Sequence, residues 1–413
     1  MVGCFTRVKG IAVNIPHQQF CVLPWISLEA SPIGSVRPCC LADDEIVDNS
    51  GVKFNLATAN FADIQNSNHM QSLRNQFLQE QRPQTCRKCW NEEDAGRTSK
   101  RMHTLDRLKH TIKDTNWTAD AKSLMFLDLK LGNICNLKCR ICGSWSSSQF
   151  ATEEIQAAEP EQRKHTFAYQ MLRAGNWPRE NQNFWSEIDL CVNDIRYIEF
   201  TGGEPFMIDE HFAMLQGIVD RGIADQVEIH YNTNGTQFPE HAQDIWRHFK
   251  TVEIAFSIDD LGDRFEYQRT NAVWNEVIAN IELFKQLRQQ YSNIQLQCCS
   301  TVNIFNVYYI DQLANWIVKQ GFNFVYWNIM HEAWYFSIAA LPESAKTEIA
   351  QHLNAATTPY KKDFVGIVDF MLNGQSTDGT KICQEIQKLD QRRQQNLRDV
   401  APELAEIIKY GQA

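Results

Sequence analysis

No run of about eighteen apolar residues occurs anywhere in the chain, and no apolar stretch follows a basic start at the N-terminus. Neither membrane insertion nor secretion is indicated, so the expected location is the cytoplasm, with no membrane partner. A basic surplus is missing as well. The 40 Lys and Arg are outnumbered by 50 Asp and Glu, giving a net charge of −10, which leaves nothing to neutralise a phosphate backbone and argues against nucleic acid as a partner. What the chain does have is cysteine, 13 in 413 residues. In a reducing compartment close Cys spacings point to metal or redox chemistry and not to disulfides.

Six apolar runs ending in Gly, Asn, Thr or Asp recur from residue 124: LMFLDLKLG, IRYIEFTGG, VEIHYNTNG, VEIAFSIDD, IQLQCCSTVN and FNFVYWNIM. They read as buried parallel strands. Helix-like stretches lie between them: FAMLQGIVDRGI, FPEHAQDIWRHF, VWNEVIANIELFKQLRQQ and IDQLANWIVKQG, the last closing on Gly321 at a C-cap position. This alternation predicts an α/β fold, a parallel sheet curled into a six-stranded partial barrel over 116–341. An insertion is expected near 144–194, where Gln, Glu and Trp replace a compact first helix. Residues 1–115, with Pro, Gly, polar residues and six of the cysteines, read as a separate unit. Residues 342–413 read as a helical tail packed as a cap.

The first strand runs into Cys135-x3-Cys139-x2-Cys142. Three ordinary thiols, or a zinc site short of a ligand, would satisfy the spacing. Three thiolates on one short loop also suit a [4Fe–4S] cluster with one iron open. This motif after the first strand of a partial barrel resembles the radical S-adenosylmethionine (SAM) superfamily, and the resemblance extends to later strand ends. Gly202-Gly203-Glu204-Pro205 is similar to the family's GGEP motif, which implies that its backbone and carboxylate hold the SAM ammonium. Asn232, Asn234, Ser257 and Asp259 correspond to polar positions near the SAM ribose and methionyl group. Arg269 corresponds to the arginine for the SAM carboxylate. All lie at strand C-terminal ends, the face on which parallel barrels build active sites, although polar strand ends also serve as plain helix N-caps.

A second cysteine set, Cys21, Cys39, Cys86 and Cys89, with Pro24-Trp25, Gly34 and Leu73-Arg74, resembles the auxiliary-cluster module called SPASM or its shortened twitch form. The resemblance implies a saturated second [4Fe–4S] cluster with Cys39, separated from Gly34 by four residues, preferred to Cys40. The same residues could hold zinc. Here the module precedes the barrel, whereas in most relatives it follows. Of the remaining cysteines, Cys298 and Cys299 fall on the fifth strand and should point to opposite faces.

The implied chemistry is reductive cleavage of SAM to a 5′-deoxyadenosyl radical that takes hydrogen from a substrate. By analogy with enzymes of this arrangement the substrate is expected to be a ribosomally made peptide or protein, with a small molecule as the rival. A non-catalytic metal-dependent scaffold is the reading from another class. Flavodoxin or ferredoxin is the expected electron donor. A separate peptide-binding partner is expected because no leader-binding domain stands out.

Overall fold

The computed structural model describes residues 4–8, 11–94, 98–179, 181–331 and 333–411. The chain divides into two compact units: Met1–Ile134, Ala158–Tyr231 and Asp244–Val252 form the first, and Cys135–Ala157, Asn232–Gln243 and Glu253–Ala413 the second.

In the first unit, β1 (Cys4–Val8) and β2 (Ile11–Ile15) pair as an antiparallel hairpin. A mostly parallel sheet follows, in the order β4 (Val36–Arg37), β3 (Ser27–Ala30), β5 (Phe126–Lys130), β6 (Tyr197–Thr201), β7 (Glu228–Thr233). Only the β3–β4 pair is antiparallel. One face is wholly apolar: Leu127, Leu129, Ile198, Phe200, Ile229 and Tyr231 are each fully buried. That is what buried strands of an α/β sheet require, and it makes their sequences read as apolar runs.

The N-terminal segment contributes two strands to this sheet, although the sequence pattern began strand alternation only at residue 124. Ser27–Ala30 lies parallel to Phe126–Leu129 in continuous register. SLEA escapes a periodicity search because it is four residues long and half polar. Its polar side chains are nonetheless buried, Ser27 donating to Pro38 O (3.0 Å).

In the second unit β8 (Thr251–Ser257), β9 (Ile294–Val302) and β10 (Phe324–Ile329) are neighbours in that order. β9 and β10 are parallel, from Gln297–Phe324 to Val302–Ile329. All six strands of the sequence reading are therefore present. The helices Trp274–Gln290 and Ile310–Gln320 coincide with their predicted stretches, and Gly321 ends the second at φ +68°, a left-handed cap that glycine adopts without penalty. The predicted helix over 238–249 is shorter, a 3-10 turn at Glu240–Ala242 followed by Gln243–Trp246. The stretch 144–194 contains the helices Ser148–Ala157, Phe167–Ala174 and Gln182–Cys191.

The tail is helical: Glu343–Ala355, Lys361–Asn373, Thr380–Arg393 and Pro402–Ile407 are its longer elements. Their apolar faces share one core with the region after β9, where Ile310, Ala314, Ile349, Leu353, Ile386 and Leu404 are buried together. The helix Thr380–Arg393 stops there because Gln394 turns left-handed at φ +53° and Gln395 N–H closes back on Asp390 O. No helix among the described residues is long and apolar enough to cross a membrane.

Candidate functional site

The loop from Cys135 to Cys142 follows the first barrel strand and is pinned from several sides within the second unit. Lys138 N–H donates to Thr270 O (3.1 Å) and Arg140 N–H to Gln268 O (2.8 Å), so the loop runs beside residues 268–270 and brings Cys139 next to Arg269. Ser147 Oγ donates to Leu137 O, and Ser148 Oγ accepts from Cys135 N–H (3.1 Å). Cys135 and Cys139 are buried while Cys142 is exposed.

Hydrogen-bond donors face the sulfurs. Leu137 N–H (3.4 Å) and Asn234 Nδ2 (3.8 Å) point at Cys135 Sγ, and Arg269 Nη1 at Cys139 Sγ (3.9 Å). Cys139's thiol is brought down to about 7, first by the hydrogen bond from Cys142 and then by the Arg269 and Arg393 guanidiniums, against the upward push of burial. Cys142, which shares that hydrogen bond, is held well above the usual thiol value, so the pair gives up one proton far more readily than two. Arg140 Nη1 is buried and has no partner among the described residues. Three thiols on one loop, with donors facing two of them, fit an iron–sulfur cluster bound through three cysteines.

Among the other sequence-predicted residues, Asn234 joins this site directly. Its Nδ2 also donates to Asn136 Oδ1 (3.0 Å), while its Oδ1 accepts from Thr236 N–H (2.9 Å) and Oγ1 (2.7 Å). Asp259 is 1% exposed and pairs with Arg269. Asn232 and Ser257 are half-buried at the ends of β7 and β8. Cys298 and Cys299 do point to opposite faces. Cys298 is fully buried, while Cys299 Sγ accepts from Asn328 Nδ2 (3.5 Å) and feels the charges of Asp259 and Arg269.

In the first unit, Gly202-Gly203-Glu204-Pro205 follows β6. Gly203 N–H donates to Gly132 O (3.1 Å) and Glu204 N–H to Ile134 O (2.8 Å), holding this turn against the end of β5. Glycine is required by this close approach: a Cβ on Gly203 would meet Ile134 O at 2.1 Å, and Gly202 has φ +103°. The Glu204 carboxylate is 1% exposed and accepts from Phe206 N–H (3.2 Å), capping the turn Pro205–Met207.

Cys21, Cys39, Cys86 and Cys89 line one small cavity closed by Phe77 and Trp90, and Arg101 reaches it. Burial, and then the neighbouring thiols Cys86 and Cys39, push Cys21 well above the usual thiol value; burial takes Cys39 to about 11. Burial raises Cys86 as well, and thiols held protonated in this way are relieved by a cationic metal group, which makes the donor set fit a cluster. The four surround a space instead of meeting at a point, and no three His, Cys, Asp or Glu side chains among the described residues are set to hold a single metal ion. Arg101 braces the site: Nη1 donates to Gln18 O and Phe20 O (both 2.8 Å), just ahead of Cys21, and Nε and Nη2 bind Glu93, just beyond Cys89. Arg74 is fully buried and donates to Pro24 O (2.9 Å) and Gln65 O (2.7 Å).

The sequence reading did not single out a charged row across the first unit's sheet. Arg37, Glu29, Asp128, Glu199 and His230 are successive register partners on β4, β3, β5, β6 and β7. Lys100 Nζ binds Glu199 (2.7 Å) and Asp128 (3.2 Å), and Lys130 binds Glu29. Burial opposes the Lys100 charge, but Cys40, Glu199 and Asp128 outweigh it and hold its ammonium above the usual value. Two dipeptides therefore divide between the two places: Cys39 and Arg101 face the four-thiol cavity, and Cys40 and Lys100 the charged row. The alternation in FLDLK and YIEFT was the available signal, with charges at every second position of otherwise apolar runs.

Comparisons with known proteins bear on both sites. Residues 129–295 match the radical SAM superfamily, and residues 21–90 match the iron-sulfur cluster-binding domain SPASM. No curated protein matches the chain. Among solved structures, the native anSMEcpe with bound AdoMet is 14% identical, with a TM-score of 0.36, over 59% of this chain and 61% of that one. The chain thus spans under two thirds of that protein. Streptococcus suis SuiB bound to S-adenosylmethionine is 11% identical, with a TM-score of 0.34, over 81% of this chain and 69% of that one. SuiB bound to its precursor peptide SuiA is 12% identical, with a TM-score of 0.32, over 78% and 64%.

Proposed function

We propose that this chain, whose residues 129–295 match the radical SAM superfamily and residues 21–90 the iron-sulfur cluster-binding domain SPASM, is a radical SAM enzyme in which Cys135, Cys139 and Cys142 hold a [4Fe–4S] cluster to which SAM binds. A second [4Fe–4S] cluster is proposed at Cys21, Cys39, Cys86 and Cys89. The observation that carries the first assignment is the loop itself: three thiols, with Asn234 and Arg269 donors at two of the sulfurs.

When bound, the cluster and SAM supply one-electron reduction and a 5′-deoxyadenosyl radical. The chain's residues bind and orient. Three cysteine ligands leave a fourth iron without a protein ligand. N–H donors directed at the sulfurs spread the thiolates' negative charge. Gly202 and Gly203 let the backbone approach a ligand, Glu204 offers a carboxylate to the SAM ammonium, and Arg269 a guanidinium to its carboxylate. Asn232, Ser257 and Asp259 are proposed for the ribose and methionyl side. Residues 1–115 are proposed as the auxiliary-cluster domain, 116–341 as the SAM core and 342–413 as the C-terminal extension.

The substrate is proposed to be a ribosomally made peptide or protein, a reading supported by the pairing of these two domains in one chain. Electrons would come from a flavodoxin or ferredoxin, in the cytoplasm, and a separate peptide-binding protein would present the substrate.

Iron content and SAM cleavage test the cluster assignment. Anaerobically reconstituted protein should hold about eight irons per chain, and the Cys135→Ala, Cys139→Ala, Cys142→Ala triple variant about four. That variant should form no 5′-deoxyadenosine; continued cleavage would refute the assignment. Zinc in place of the iron left in that variant would refute the second cluster. Deuterium transfer into 5′-deoxyadenosine from a labelled peptide, but not from small molecules, would support the peptide reading.

A further inference from the structure

The C-terminal extension enters the loop that carries Cys135, Cys139 and Cys142. Arg140, between the second and third cysteines, is fully buried, and its Nη2 donates to Asp390 Oδ1 (2.6 Å) and Gln395 Oε1 (2.8 Å). Its Nε donates to Tyr267 O (2.8 Å), and the guanidinium lies 3.5 Å from the centre of the Tyr267 ring. The Asp390 carboxylate is saturated: Tyr267 OH (2.8 Å) also donates to Oδ1, and Tyr410 OH (2.6 Å) and Leu397 N–H (3.0 Å) donate to Oδ2.

One helical turn on, Arg393 makes a second contact set. Its Nε and Nη2 bind Glu153 (Nη2 to Oε2, 2.9 Å), and its Nη1 donates to Thr270 Oγ1 (3.1 Å). Glu153 also binds Lys138 (2.7 Å). Lys138 and Thr270 are the chain neighbours of Cys139 and Arg269. The Arg393 side chain is 1% exposed. Arg393 and Lys138 share the single carboxylate of Glu153, so the three groups carry one net positive charge next to the chain neighbours of Cys139 and Arg269.

We propose that Asp390 and Arg393 are positioning residues of the cluster site, Asp390 fixing the loop through Arg140 and Arg393 raising the cluster's reduction potential as a second cation near Cys139. This rests on the assignment of the three cysteines as cluster ligands. The physical ground is that a nearby cation favours the more negative, reduced cluster, and that charge near a cluster is one of the levers on its potential. Breaking a buried ion pair leaves an uncompensated charge, so loss of Asp390 should loosen the loop and not merely its own helix.

The test uses the full chain, reconstituted anaerobically and titrated electrochemically while the EPR signal missing from the triple cysteine variant is followed. Arg393→Gln should move that signal to more negative potential. At the wild-type midpoint the reduced-to-oxidised ratio should fall about tenfold, equivalent to about 59 mV for one electron. Arg393→Lys, which keeps the charge but loses the fork on Glu153, should stay near wild type. Asp390→Asn should lose iron from this site to a chelator several-fold faster, with the N-terminal cluster unaffected. A wild-type potential in Arg393→Gln would overturn the charge role, as would equal shifts in the Gln and Lys variants. Unchanged iron loss in Asp390→Asn would overturn the clamp. A triple cysteine variant that keeps every EPR signal of the wild type would instead sink the ligand assignment, and this proposal with it.

Discussion

Arg269 spends two of its three nitrogens on one oxygen of Asp259: Nε at 3.0 Å and Nη2 at 2.6 Å both reach Oδ2, while Oδ1 accepts Thr301 N–H at 2.8 Å. The carboxylate therefore fixes the guanidinium plane and leaves Nη1 turned to Cys139. A lysine cannot occupy this arrangement, since it offers one point charge where a rigid fork is used. Arg269→Lys is expected to fold but to lose about tenfold or more in SAM affinity, given about 1.5–3 kcal/mol for a charge-assisted hydrogen bond. Equilibrium dialysis with labelled SAM measures it; unchanged affinity would remove Arg269 from SAM recognition.

The division between Cys39 and Cys40 predicts opposite outcomes from the same substitution. Cys39→Ser should disturb the spectrum and potential of the N-terminal cluster, because its thiol lines the four-thiol cavity. Cys40→Ser should leave both nearly unchanged, because its thiol faces Asp128. Mössbauer spectra of the two iron-loaded variants decide the matter, and a reversed outcome would transfer the ligand role to Cys40.

Lys100 is the shared cation of two buried carboxylates, Asp128 and Glu199. Lys100→Met keeps the length of the side chain but removes the cation between those carboxylates, leaving Asp128 to Glu199, Cys40 and the charge of Lys130. Removal of one partner from a buried ion pair costs about 3–5 kcal/mol, so the unfolding free energy from urea titration should fall by an amount of that size and the midpoint with it. Glu199→Gln in the same background should recover part of the loss. A midpoint within error of wild type would show that water reaches this row.

Asp260 gives a pH dependence with a definite sign. Burial raises its carboxyl from 3.8 to about 7, although Arg264 and Leu261 N–H partly oppose the shift. A group that holds its proton more tightly when folded stabilises the fold fully below its unfolded value and loses that contribution as pH rises through the folded one. Stability should therefore decline between about pH 4 and pH 7, and Asp260→Asn should flatten that decline. Denaturation midpoints at pH 5 and pH 8 for both proteins provide the measurement; parallel pH profiles would contradict the assignment.

Much of this was legible because buried parallel strands write themselves as apolar runs. VEIAFSIDD and IQLQCCSTVN needed only their burial pattern, and Gly321 only its place after a periodic helix. The cysteine spacings carried the donor sets in the same local way. β3 was not legible, being too short and too polar to show a period, and its strand character comes from pairing with Phe126–Leu129. Nor was the Arg269–Asp259 pair: both residues stood out singly, but a side chain's choice of partner is not encoded in spacing. The contacts of Asp390 and Arg393 lay furthest from view, because they join residues far apart in sequence and nothing in QEIQKLDQRR distinguishes them from solvent-facing charges.

The Arg140–Asp390 pair spans 250 residues, and that separation has a consequence for synthesis. At about 5–20 residues per second, roughly 12–50 s pass between translation of the cysteine loop and translation of the carboxylate that clamps it. For that interval the loop lacks the buried partner of Arg140, so the site reaches its final form only once the last helices have left the ribosome.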